Sequence, residues 1–478
     1  MLAAGAIHDY CKKDKPRILM CQSLLNCALL VDLYELTMAA GYFKRHMDCR
    51  ATFELFVRSL PAERSYLVAA GVDDALDYLE RLRFSDEDIR YLRSIPAFQS
   101  IGNDFFAYLK SLRFTGEVSG VPEGTIIFGE EPILQVTAPV AEAQIVETYL
   151  LAVINFETLV ASKAARVVRA AQGRSVLEFG TRRAQGPEAG LRAARAAYIG
   201  GCDATSNVEA GYLYGIPVAG TAAHSWTQAF PTERESFEAL LDAFPETGVL
   251  LIDTYDELAG AETAATLGRK FQGVRLDSGD LLEKSREVRN ILDAHGLHDV
   301  KIIASGDLNE YRIETLVANG APIDSFGVGT DLATSRDVPA LSVVYKLVEM
   351  ETEGRVEYKA KFSEEKVYCP GRKQVFRFFN NHEYDFDLIT RSDEDYPEGK
   401  RLLQPLMRNG RRLAARRSAA SIRKDVLAAL ERLPGKYHAL RGAPEYPVKK
   451  SDALLQLLEE VRSRYVTTRK PAGASRAR

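Results

Sequence analysis

The sequence predicts an α/β fold, with a barrel of parallel strands preceded by an N-terminal domain that mixes helices and strands. Three observations carry that expectation. Between about residues 175 and 335 there are seven short apolar runs, at 176–179, 202–205, 216–219, 249–252, 273–276, 300–304 and 323–328. Most lead into a helical stretch, and short buried strands alternating with helices imply a parallel sheet. Charged and small residues gather just after the runs, where barrel enzymes place their chemistry.

Taken in chain order, residues 1–27 form an extension ahead of the folded body. Leu29, Leu33, Leu36 and Ala40 then recur at helical spacing, with Asp32 and Glu35 on the polar side. Residues 51–57 alternate as a strand does and 75–82 as a helix. The N-terminal domain, 28–150, mixes the two without strict alternation. The barrel is expected over 151–345. Its helix at 187–198 opens on Pro187, suited to a first helical turn. Those at 281–295 and 308–319 end at Gly296 and Gly320, residues that favour a helix stop. Seven units over about 160 residues suit a barrel better than an open sheet. A C-terminal segment, 346–466, contains a Lys/Arg-rich stretch at 359–377 and two helices. The basic tail, 467–478, is expected to be disordered.

The 478 residues are enough for two or three domains, and 46% apolar with 27% charged residues suits a soluble globular protein. A net charge of −4 gives no reason to expect a nucleic-acid partner. The six cysteines, Cys11, Cys21, Cys27, Cys49, Cys202 and Cys369, show neither zinc-type spacing nor a disulfide framework. Reduced thiols in a cytoplasmic protein are the expectation. No window reaches the ~18 uninterrupted apolar residues of a membrane span. Gln22, Ser23 and Asn26 break the run between Ile18 and Val31, which argues against a signal sequence.

The chemistry is expected at the strand ends. His224 follows the run 216–219 within Gly220-Thr221-Ala222-Ala223-His224-Ser225, where small neighbours leave room for a substrate. A histidine there serves as general base, phosphate donor or phosphate acceptor, or is simply bonded to a backbone carbonyl. Arg182 and Arg183 close Glu178-Phe179-Gly180-Thr181-Arg182-Arg183 and suit a carboxylate or phosphate, or a solvated helix start. Arg275 and Asp277, two apart at a strand end, are able to point the same way. Ser278 and Gly279 offer backbone N–H groups at a helix start, and Asp280 fits an N-cap. Ser305-Gly306 and Gly327-Val328-Gly329-Thr330 are small-residue turns that let backbone approach a phosphate. Tyr34, off the apolar stripe of its helix, is a partly buried aromatic or a platform for a planar ring.

These motifs resemble the nicotinate phosphoribosyltransferase family. Leu30-Val31-Asp32-Leu33-Tyr34-Glu35-Leu36-Thr37-Met38, residues 178–186, 220–225, 275–280 and 327–330 agree in order and spacing, over about residues 28 to 460. The resemblance implies a type II phosphoribosyltransferase fold, an irregular α/β barrel beside an α/β N-terminal domain, with the C-terminal segment packing on the N-terminal domain, and usually a homodimer. It implies that nicotinate and phosphoribosyl diphosphate give nicotinate mononucleotide and diphosphate, coupled to ATP hydrolysis. Under it His224 matches a phosphorylated histidine, Tyr34, Thr221 and Arg275 match nicotinate-binding positions, Thr330 matches a phosphoribosyl diphosphate position, and Arg182 lines the same pocket. Mg²⁺ is expected to arrive with the phosphates, since no cage of clustered carboxylates is visible. Two alternatives stay open: a transferase of this fold acting on nicotinamide or quinolinate, and a catalytically silent barrel that binds nucleotide.

Overall fold

The structure, a computed structural model, describes residues 28–362 and 367–467. The N-terminal extension, nearly all of the basic tail, and Cys11, Cys21 and Cys27 lie outside the described residues. Six parallel strands build the sheet that carries the site: Ser175–Glu178, Ala204–Thr205, Val249–Leu251, Gly273–Leu276, Lys301–Ala304 and Ser325–Val328. From Val249–Leu251 onward each strand pairs with the next, and Ser325–Val328 returns to pair with Ser175–Glu178, Phe326 beside Val176. That return rolls the sheet into a barrel.

The barrel stays open on one side. The expected strand at 216–219 is reduced to a single bridge between Val218 and Thr205. Proline has no N–H for a ladder, so only the Pro217 carbonyl and the Ala219 N–H hold this stretch to Thr205, both at 3.0 Å. Among the described residues no ladder joins it to Val249–Leu251. The strand alternation sorts the side chains by role. Val176, Val274, Leu276, Ile302, Ala304, Phe326 and Val328 are buried against the surrounding helices. Gly273, Arg275, Ile303, Ser325 and Gly327 face the interior instead.

Helices Pro187–Ile199, Leu281–Ala294 and Glu310–Ala318 cover the barrel. The expected stops hold: Gly296 and Gly320 take φ of +73° and +69°, where a Cβ is unfavourable. Val140–Ala170, the one described stretch long and apolar enough to cross a membrane by composition, has 67% of its most apolar window buried inside the protein. Its second helix, Glu147–Ala170, runs between the barrel and the N-terminal core. Cys49, Cys202 and Cys369 are free and buried.

The N-terminal half is organised by a seven-stranded sheet, and four of its strands come from the other end of the chain. In order these are Arg355–Tyr358, Val343–Thr352, Arg50–Val57, Pro132–Pro139, Glu117–Gly120, Gln404–Arg408 and Arg411–Arg412. The divisions expected at 150/151 and 345/346 therefore fall inside a helix, Glu147–Ala170, and a strand, Val343–Thr352, that tie the halves together. The C-terminal segment, read from sequence as two helices, also forms a sheet of Lys400–Arg401, Lys373–Asn380, Glu383–Arg391 and Val448–Lys450. Its helices are Ala419–Leu430 and Asp452–Thr467.

Candidate active site

At the C-terminal mouth of the barrel, Arg275 organises the site. Its Nε donates to Ser305 Oγ at 2.8 Å, Nη1 to Thr221 Oγ1 at 2.8 Å and Nη2 to Asp277 Oδ1 at 2.6 Å. Three strand ends thus converge on one guanidinium, and each terminal nitrogen keeps one further N–H. The Ser305 hydroxyl also donates to Asp277 Oδ1. Burial pushes the Asp277 carboxyl upward. The Ser305 bond and the Arg275 charge outweigh it and hold the group below the ordinary carboxylate value. Asp277 is an anion at neutral pH.

The cavity here measures about 570 Å³, within the ~300–1,000 Å³ of small-molecule sites. Arg182, Thr221, Arg275, Asp277, Ser305, Gly306, Gly327, Gly329 and Thr330 all line it, as do Arg183, Ser206 and Phe179. It continues inward, past Phe179 and residues 220–223, into a barrel interior of about 870 Å³ that side chains do not fill. Arg182 and Arg183 sit on a single 3₁₀ turn, Thr181–Arg183, and among the described residues neither has a carboxylate partner. The turn is held from below by Glu178. Its buried carboxylate accepts from Thr205 Oγ1 at 2.6 Å and from the Gly180 N–H.

Two glycines are required by contact. At Gly327 a Cβ would stand 2.6 Å from the Phe179 ring, and at Gly306, with φ +89°, it would stand 1.9 Å from the Asp277 carbonyl oxygen. The Phe179 ring is thereby seated over Gly327, with the Arg275 guanidinium 5.9 Å from its centroid. Phe179 directly follows strand Ser175–Glu178, but apolar residues after a strand are common, and only the glycine opposite it marks its place.

His224 is the first residue of the short helix His224–Gln228, at the rim beside Ala223 rather than in the cavity wall. Its side chain is 40% exposed; Nε2 lies 3.8 Å from Asp277 Oδ2 and Nδ1 3.3 Å from Thr254 Oγ1. Asp253, not singled out in the sequence, accepts from the Asp277 N–H and the Ser278 hydroxyl, both at 2.8 Å. Ser278 and Gly279 are outside the cavity wall, because that hydroxyl ties the turn to Asp253. Asp280 caps helix Leu281–Ala294.

Tyr34 is not in this pocket. It lies 45% exposed on helix Leu33–Lys44, with its hydroxyl against Glu147. Glu147 starts the helix whose Lys163 reaches Asp331, next to Thr330. Residues 147 to 163 of that helix span about 24 Å at ~1.5 Å per residue. Within one chain the tyrosine and the pocket are at different ends of that helix.

Among solved structures, human nicotinic acid phosphoribosyltransferase superposes with a TM-score of 0.79 at 30% identity, covering 90% of this chain and 99% of that one. The nicotinate-nucleotide pyrophosphorylase of Pyrococcus furiosus gives 0.71 at 27% identity, over 88% and 99%. An irregular α/β barrel with this companion domain is the type II phosphoribosyltransferase fold. Family models for the nicotinate phosphoribosyltransferase N-terminal domain, the family itself and its C-terminal domain match residues 29–155, 175–363 and 398–458. Nicotinate phosphoribosyltransferase pncB2 of Mycobacterium tuberculosis is 45% identical over 91% of this chain and 94% of its own length, and the Bacillus subtilis enzyme 44% over 78% of each. The chain belongs to the nicotinate phosphoribosyltransferase family, transferases of NAD biosynthesis.

Proposed function

We propose that this enzyme salvages nicotinate, joining it to phosphoribosyl diphosphate with release of diphosphate, and that a phosphohistidine at His224 couples the reaction to ATP hydrolysis. The observation that carries this reading is the Arg275 fork, braced by Thr221, Asp277 and Ser305 within a pocket that also presents Arg182 and Arg183. A braced guanidinium is ready to receive a carboxylate without further ordering. Phe179 supplies one face of the slot for the pyridine ring. The ring nitrogen attacks the anomeric carbon as its bond to diphosphate breaks, and the leaving oxygens take the negative charge. Arg182 and Arg183 stand to stabilise that charge. Turns at Ser305-Gly306 and Gly327–Thr330 receive the phosphates. With nicotinate and phosphoribosyl diphosphate, nicotinate mononucleotide should form one-for-one with diphosphate, and ATP should accelerate it. Absence of that product would dispose of the reading.

His224 Nε2, exposed at the rim, is the proposed acceptor of the ATP γ-phosphoryl group. The N–P bond forms as the bond to ADP breaks, and the imidazole proton leaves. A phosphate there adds charge beside the pocket, linking ATP use to substrate affinity. Among the described residues no cluster of three or more His, Cys, Asp or Glu is arranged for a metal. At the pocket mouth, however, Asp277 Oδ2 faces His224 Nε2 only at 3.8 Å, and the buried Asp253 Oδ1 has no hydrogen-bond partner among the described residues. One or two carboxylates together with substrate phosphates suit Mg²⁺, which would neutralise diphosphate charge when bound.

We further propose a homodimer in which a second copy brings Tyr34 to the pocket. Leu30, Leu33, Tyr34 and Met38 form an exposed apolar stripe, and Val208 and Tyr212 are exposed on helix Val208–Tyr214, beside the Thr181–Arg183 side of the mouth. Tyr34→Ala and His224→Ala chains should each be nearly inactive in ATP-coupled turnover. Co-expressed, they should recover about a quarter of wild-type activity, because half of randomly paired dimers hold one intact site. No recovery, in dimers shown to be mixed, would mean that Tyr34 does not serve the pocket of a second copy.

Gly327→Ala tests the slot. Its methyl group would displace the Phe179 ring, and kcat/KM for nicotinate should fall on the order of tenfold or more. Unchanged kinetics would remove Phe179 from the base site.

A further inference from the structure

A second cleft, of about 390 Å³, opens away from the barrel between the four-stranded C-terminal sheet and helix Ala419–Leu430, and shares no lining residue with the active-site cavity. Five cations line it, Arg377, Lys400, Arg401, Arg417 and Arg432, against the carboxylates Glu123 and Asp425. In a chain of net charge −4 this is a local concentration of positive charge. Three of the cations are already answered: Arg377 by Asp387 at 2.5 Å, Arg401 by Asp395 at 2.9 Å, and Arg417 by Asp425. Glu123 is likewise taken, by Arg195 at 2.7 Å. Among the described residues Lys400 and Arg432 have no carboxylate partner.

The backbone sharpens the imbalance. Lys400 lies opposite Arg377 in the antiparallel ladder, and like charges directly opposite repel. Asp387 quenches Arg377 from within, which leaves the ammonium of Lys400 facing the cleft unanswered. Phe379 lines the same cleft, 37% exposed, packed edge-on against Tyr384 with ring centroids 5.6 Å apart. An ammonium and a guanidinium without partners recognise phosphate oxygens, and an exposed ring beside them offers a stacking face to a planar base. The volume falls within the range for small ligands, ~300–1,000 Å³.

We propose that this cleft is a second binding site, for a phosphorylated small molecule of nucleotide size, its phosphate held by Lys400 and Arg432 and its base against Phe379. The site is independent of the reaction assigned to the barrel, so its test does not depend on that assignment. Calorimetric titration of the full-length protein with AMP should give one site per chain that Arg275→Ala leaves intact. Lys400→Glu/Arg432→Glu should weaken it by at least about tenfold. Both side chains are exposed, so this variant should keep the wild-type unfolding midpoint and nicotinate-dependent activity. Phe379→Ala should weaken AMP but not inorganic phosphate. Retained AMP binding in the double variant, loss in Arg275→Ala alone, or no binding at millimolar AMP would each overturn the proposal.

Discussion

Replacing Arg275 by lysine is expected to lower kcat/KM for nicotinate by about a hundredfold, with little loss of folded protein. Arg275 uses three N–H groups in three directions, toward Ser305, Thr221 and Asp277, and still keeps two for a ligand. A lysine ammonium has three donors at one point and cannot brace itself and grip a carboxylate in a fork at once. Loss of charge-assisted hydrogen bonds at a desolvated site costs about 1.5–3 kcal/mol, and tenfold in rate corresponds to about 1.4 kcal/mol. Asp277 would also lose a neighbour that holds its carboxyl low. Steady-state kinetics with nicotinate varied measures the effect, and wild-type efficiency would mean that Arg275 does not meet the base.

His224→Ala is expected to abolish ATP hydrolysis and leave a slow, ATP-independent formation of nucleotide. The imidazole stands at the rim, 40% exposed, on the first residue of a short helix, so the variant should fold normally. The groups proposed to bind both substrates, Arg275, Arg182, Phe179 and the loops at Ser305 and Thr330, stay in place. Incubation with γ-labelled ATP should leave an acid-labile phosphate on wild type and none on the variant. Equal labelling of both would move the phosphorylation elsewhere and return His224 to a residue that merely contacts Thr254 and Asp277.

The barrel was legible because its strands are short, buried and closed by turns, so periodicity and glycine stops identify them. The run at 216–219 shows the limit of that reading. Its apolar character is that of a strand, but Pro217 lacks the donor a ladder needs, and one bridge forms. The C-terminal sheet was missed although its signal was present. Residues 373–380 and 383–391 are rich in aromatic and β-branched residues and alternate, but the charges at Lys373, Arg377, Asp385 and Asp387 masked them. Two of those charges, Arg377 and Asp387, are buried as a pair, which no single-strand pattern reveals.

For the site, the residues at strand ends were legible because position on a barrel strand predicts the direction in which a side chain points. Arg275, Asp277, Ser305 and Thr221 do meet. Phe179, quoted only as part of a motif, and Asp253 carry no role in the sequence reading, since their roles depend on what stands opposite, a bare glycine and the Asp277 N–H. Tyr34 carries a motif yet lies outside the pocket of its own chain, a fact that sequence spacing cannot encode.

Diphosphate release, measured with phosphoribosyl diphosphate and ATP in the presence of nicotinate, nicotinamide or quinolinate in turn, tests the central claim most directly. The braced Arg275, with Arg182 and Arg183 given to the departing diphosphate, favours a ligand with one carboxylate over a neutral amide. Release should depend on nicotinate and be at least about a hundredfold less efficient with nicotinamide, which cannot supply the charge the fork receives. Comparable release with nicotinamide, or release with quinolinate alone, would contradict the account.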